Sequence, residues 1–247
     1  INEEASSNSQ VVSIATDALL EELVKQVELM YRQKRADGFI ILYSETNDPV
    51  KDYLLKEKVP FVVVGAAVDN NDKVTYIDND NKELGQEAVN FLRAKGHQKI
   101  GFVTDDLFGQ VGQEHYQGYI EATNEFNLET YPELVFSSRV IDSLIESLQS
   151  YQLTALIVKD DLIALRFIHW LNNQGIRIPE AYAIISFNNS IFAEIMHPFL
   201  TTYDINIKEL GKESVQRLLD LLKNPQTKAQ KITVPFRLIE RESVSMG

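Results

Sequence analysis

Two short apolar runs in the second half of the chain end in residues that could do chemistry. Ala155–Val158 runs into Lys159, Asp160 and Asp161, and Ala183–Phe187 runs into Asn188 and Asn189. Carboxylates and amides in such places accept and donate hydrogen bonds, but they do not make the backbone cradle that grips phosphate. Asp160-Asp161, like Asp105-Asp106, is a carboxylate pair that could be imagined as an acid and a base. Adjacent residues on a turn rarely face one substrate bond from both sides, however, so the pairs argue against catalysis. The four histidines, His97, His115, His169 and His197, lack the spacing of a metal helix, and the chain has no cysteine. It also lacks a G-x-S-x-G elbow, a G-x-G-x-x-G turn and a P-loop. The residue types favour a binding protein over an enzyme, with no metal and no cofactor.

These residues need elements to hold them. Between the two apolar runs, Leu162, Leu165, Phe167, Ile168 and Leu171 are spaced to press one helical face onto a sheet, and Gly175 and Pro179 end that helix. Strand, helix, strand is a parallel crossover unit, and ligands of such sheets bind beyond the carboxyl ends of the strands. The rest of the chain repeats the alternation. Strands are expected at Val11–Ile14, 39–42, 61–64, 74–77, 100–103, 134–136, 200–203 and 232–241. Helices are expected at 19–35, 49–58, 81–95, 113–126, 141–151 and 207–223. Asp80 with Glu83, and Asn206 with Glu209, have capping-box spacing. The opening residues read as the tail of a helix, with a first strand and half a helix of the alternating pattern absent, as in a fragment. One short echo recurs, Lys82-Glu83-Leu84-Gly85 and Lys208-Glu209-Leu210-Gly211. A glycine inside a helix costs about 1 kcal/mol relative to alanine, so each is expected at a close approach to a neighbouring element.

A chain of 247 residues can bury a large core in two domains or one. No apolar run approaches the ~18 residues of a membrane span. Zero cysteines fit a reducing cytoplasm. The net charge of −12 argues against this chain gripping nucleic acid by itself, since phosphate contacts need a basic face.

Several motifs, in order, resemble the effector-binding core of the lactose-repressor family of bacterial transcription regulators. Ala36-Asp37-Gly38-Phe39-Ile40-Ile41-Leu42 looks like its "VDGIIL" strand. Ile77-Asp78-Asn79-Asp80-Asn81, with Leu84-Gly85, Ala88 and Gly96-His97-Gln98-Lys99-Ile100-Gly101-Phe102, resembles its "DNxxGxxxAxxxLxxxGHxxIGFI" run. Asp161-Leu162-Ile163-Ala164 looks like "NDxMA" with Asp160 where Asn is usual; Ile185-Ser186-Phe187-Asn188-Asn189 resembles "VGFDD", and Pro198-Phe199-Leu200-Thr201-Thr202 resembles "PxLTT".

The resemblance implies an α/β fold of two doubly wound parallel-sheet lobes, like periplasmic binding proteins, joined by three crossings near Thr104, Leu200 and Gln230. The lobes would be 1–104 with 200–229, and 105–199 with 230–247. A sugar or nucleobase effector would bind between them, and a helix-turn-helix domain absent from this chain would contact operator DNA. Position by position it implies ligand contacts from Asp160, Asp161 and Asn188, from His115 where Arg is usual, and from Asp80, Phe136 and Ile207. Tyr43, at the end of its strand, joins this set. Acid at Asp160 and amide at Asn188 suit a neutral, hydroxyl-rich ligand, and "SFNN" at 186–189 is similar to repressors of maltose and maltodextrin operons. Each residue also has a plain structural reading: a helix cap for Asp161 and Asp80, a turn for Asn188, core for His115 and Phe136. The apolar loop Ile191–Phe199 would either form the family's side-by-side homodimer surface or pack on its own lobe. Control by a phosphorylated partner protein, and an extracytoplasmic sugar-binding protein for uptake, are the alternatives.

Overall fold

The computed structural model describes the chain except residues 44–45, 69–72, 106–108 and 138–140. Asp106 of the paired carboxylates and Ser44 thus lie outside the described residues. The chain divides into two compact units, 1–79 with 207–234 and 80–206 with 235–247.

The first unit holds β1 (Phe39–Ile41), β2 (Phe61–Val64), β3 (Thr75–Asp78) and β9 (Lys231–Thr233), all parallel in that order. Helix α9 (Ile207–Lys223) packs across β1, β2 and β3. Helices α2 (Leu20–Arg32) and α3 (Pro49–Glu57) pack on each other, and their Leu23, Val27, Val50 and Leu54 share a core with Ile41, Phe61 and Val63. The short helix α1 (Asn2–Ser7) packs on α9, where a Cβ added to Gly211 would lie 2.8 Å from the Ile1 nitrogen.

Val11–Ile14, expected as a strand, is not one. The segment has no neighbour to pair with among the described residues, and Val11 and Ile14 stand 93% and 82% exposed. It lines one side of a cavity of about 500 Å³ whose other walls include β1 and the Val215 and Leu218 side of α9. The β1 strand is consequently a sheet edge.

The second unit has the order β10-β8-β7-β6-β4-β5. Its strands are β4 (Ile100–Thr104), β5 (Leu134–Val135), β6 (Ala155–Val158), β7 (Ala183–Phe187), β8 (Thr201–Asp204) and β10 (Arg237–Ile239), and only β10 is antiparallel. Alternate side chains feed two cores, as a strand's period of two requires. Ala155, Ile157, Ile185 and Phe102 meet α4 (Asn81–Ala94) and α5 (Gln110–Glu125). Leu156, Val158, Ile184 and Val103 meet α6 (Ile141–Ser150) and α7 (Asp161–Asn173). Both faces are covered, which is why these strands read as unbroken apolar runs.

The unit boundaries differ from those expected. The first passage falls at Asn79–Asp80 instead of Thr104, because α4 packs on the β4–β6–β7 sheet and not on the first one. The others fall at Asn206–Ile207 and Val234–Pro235, after Leu200 and Gln230. The expected final strand 232–241 is two strands, β9 paired with β3 and β10 paired with β8. Residues 191–199 are not all loop: α8 (Ile191–Ile195) buries Ala193, with Met196 beyond it, in the α7 core, and leaves Ile191 and Ile195 exposed.

Candidate ligand site at the carboxyl edge of the second sheet

The carboxyl ends of β6 and β7 lie side by side, since Ile157 pairs with Ile185 in parallel register. That register sets Lys159 and Asp160 beside Phe187 and Asn188. Asp160 caps α7, its carboxylate accepting the Ile163 N–H at 2.8 Å, and it is only half-buried. Lys159 is paired with Asp105 at 3.2 Å.

Asp161 is the anchor of the turn and not its ligand-facing residue. It is 1% exposed; one oxygen accepts from Ser186 Oγ at 2.5 Å and Thr202 Oγ1 at 2.8 Å, the other from Ser190 N–H at 2.5 Å. Burial pushes its carboxyl up while these donors pull it back. The expected effector contact at Asp161 is corrected accordingly, and so is its reading as the cap, a role Asp160 fills. The hydroxyls of Ser186 and Thr202 were the signal for this network.

The turn itself is left-handed at two successive residues, Asn188 with φ +106° and Asn189 with φ +50°. Asparagine tolerates such backbone better than most residues. Asn188 N–H donates to the Tyr203 carbonyl at 2.9 Å, and the Asn189 amide oxygen accepts from Arg241 at 2.8 Å. The Asn188 side chain is half-buried.

His115 faces the same edge from α5. Its ring stacks on Phe187 with centroids 4.1 Å apart, is 3% exposed, and neither nitrogen has a hydrogen-bond partner among the described residues. Burial, helped by the Lys159 charge, lowers its pKa to about 3, so the imidazole is neutral. Helix α5 can reach this position because it crosses α4 almost backbone to backbone. A Cβ on Gly85 would fall 2.1 Å from the His115 carbonyl oxygen, and one on Gly118 would fall 2.0 Å from that of Lys82. The glycine of the echo is therefore a close-approach residue, as its helical position implied.

Asp80 is exposed and caps α4, accepting the Glu83 N–H at 3.0 Å; one residue on, Asn81 donates to Glu114, the neighbour of His115. Phe136 is 8% exposed, with its ring edge-on to Phe167 and 5.8 Å from Trp170. It packs in the core beside α7. Tyr43, whose hydroxyl is 3.4 Å from Asp48, and Ile207, 60% exposed, belong to the first unit. The second unit thus sets Asp160 and Asn188 at neighbouring strand ends, with His115 stacked on Phe187 and Asp161 bonded to the turn that follows.

Residues 73–244 match the profile of the periplasmic binding protein-like domain. The structure also resembles that of a LacI transcriptional regulator from Bacillus cereus subsp. cytotoxis, with TM-score 0.90 and 30% identity over 100% of this chain and 90% of that one. The chain belongs to the periplasmic binding protein-like family, among the lactose-repressor regulators. A staphylococcal structure described as a maltose operon transcriptional repressor is 27% identical, with TM-score 0.89, covering 98% of this chain and 88% of that one. The transcriptional repressor PurR of Aliivibrio salmonicida is 28% identical over 224 residues, 87% of this chain and 66% of its own length. The chain spans about two thirds of the length of the curated relatives it matches.

Proposed function

We propose that this effector-binding core senses a neutral, hydroxyl-rich sugar, with maltose or a maltodextrin as first candidate. Occupancy would then change the affinity for operator DNA of a DNA-binding domain carried elsewhere in a cytoplasmic homodimer. The observation that carries the reading is His115: a neutral imidazole, neither nitrogen partnered among the described residues, stacked on Phe187 at the end of the strand that leads into Asn188. Neutral imidazole offers one donor and one acceptor, the pattern a hydroxyl presents in return. A phosphate would call for free cations, and Lys159 is already paired with Asp105. The likeness to a maltose operon repressor supports a sugar, while the equal likeness to PurR keeps nucleobases as the competing class. Tyr43, Ile207 and Asp80 are the remaining contacts in this reading. The effector acts by binding one arrangement of the protein more tightly than another.

A thermal-shift screen against maltose, maltotriose, glucose, nucleobases and sugar phosphates tests this. A ligand at 100 times its Kd adds about 2.7 kcal/mol to stability. Maltotriose is expected to raise the midpoint; a shift from nucleobases or sugar phosphates alone would sink the sugar reading. Asn188→Gly keeps the left-handed backbone without strain but removes the amide. It is expected to fold at least as stably and to lose the maltotriose shift.

A further inference from the structure

Arg241, in the segment after β10, reaches two elements at once. One guanidinium nitrogen donates to the Leu200 carbonyl at 2.9 Å, and the other to the Asn189 amide oxygen at 2.8 Å and the Glu194 carboxylate at 3.2 Å. Its backbone N–H donates to Thr201 Oγ1 at 2.9 Å, so the arm is fixed at its root. Glu194 is mostly exposed, so that contact contributes little. The two neutral acceptors, one on the loop before β8 and one on the β7–α8 turn, are the substantive ones.

We propose that Arg241 is a positioning residue for the effector, holding the Asn188–Asn189 turn in the conformation that presents the Asn188 amide. This rests on the sugar-sensing reading of that edge. Two consecutive left-handed non-glycine residues persist only where surroundings over-determine them. Four anchors do so here. Asn188 N–H on Tyr203, Asn189 N–H on Thr202 Oγ1 and Ser190 N–H on Asp161 hold the turn's backbone. Arg241 grips a side chain of the turn itself, and it does so from a segment far away in sequence. Lysine cannot replace it, because a single ammonium lacks the planar fork that meets both acceptors.

The test compares wild type with Arg241→Lys, and with Asn189→Ala in case the first variant folds poorly. Without any sugar, hydrogen exchange at the Asn188 amide is expected to accelerate in both variants while the amides of β2 keep their rates. With maltotriose, both are expected to bind about ten- to a hundredfold more weakly, the worth of one charge-assisted hydrogen bond. Guanidinium ion at low concentration should recover part of the lost affinity in Arg241→Ala, which a merely destabilised fold would not show. Unchanged Asn188 exchange overturns the proposal, as does unchanged maltotriose affinity in a variant of a wild type that binds. If wild type ignores maltotriose, the sugar reading fails and the exchange measurement decides the role of Arg241 alone.

Discussion

His115 and Asp161 are both buried and titratable, and they answer to pH in different ways. His115 has a folded-state pKa far below its ordinary value of 6.5, at about 3. The unfolded chain therefore takes up the proton first. Stability from this residue is complete above pH 6.5 and is lost as pH falls from there toward 3, at about 1.4 kcal/mol per pH unit within that window. Urea unfolding of wild type and His115→Phe at several pH values should show the variant losing less stability on acidification; parallel curves would mean that the imidazole is solvated. Asp161 makes a different prediction. Removing it leaves two hydroxyls and one N–H without their acceptor in a closed site, at about 1–3 kcal/mol each. Asp161→Ala is expected to lower stability by several kcal/mol, where a residue that only touched ligand would leave the apo protein unchanged.

At the scale of elements, the helix and strand order was largely readable, because each strand is covered on both faces and each helix carries one apolar stripe. What the sequence concealed was pairing. The apolar run at Val11–Ile14 has the local properties of a strand, yet a strand exists only by virtue of a neighbour, and among the described residues none pairs with it. The 232–241 region is apolar on both sides of Pro235, and that proline, with no N–H to give a ladder, marks the break between its two strands. In the candidate site, Asn188 and His115 are picked out by the family resemblance, and the structure adds the left-handed backbone of Asn188 and the stacking of His115 on Phe187. Asp161 was misread because a ligand carboxylate and a turn anchor look alike until their donors are seen, and Arg241 was missed because it arrives from the far end of the chain. Gly85 gives the element-scale prediction. Alanine there would gain about 1 kcal/mol of helix propensity, but its Cβ would sit 2.1 Å from a backbone carbonyl of α5. Overpacking of 1–3 kcal/mol or more wins. Gly85→Ala should lower the melting midpoint, whereas Gly211→Ala, whose nearest atom is 2.8 Å away, should cost less.

At the scale of the whole molecule, the two units are unequally finished. The second has six strands clad on both faces, with helices meeting it tightly enough to need glycine at the crossing. The first has four strands and a cavity beside one of them. The strand β1 pairs with β2 on one side, so the main-chain groups of Ile40 that point the other way look into that cavity. Open rows of this kind invite strands from other molecules. Val11 and Ile14, apolar and uncovered, supply ready material for such pairing. Concentrated solutions of this chain should therefore scatter more light with time than solutions of Val11→Lys/Ile14→Lys, and equal scattering would show that the row is closed in solution. The two lysines would thus act on a face remote in sequence from His115 and Asn188, closing to strangers a seam that β2 mends from one side alone.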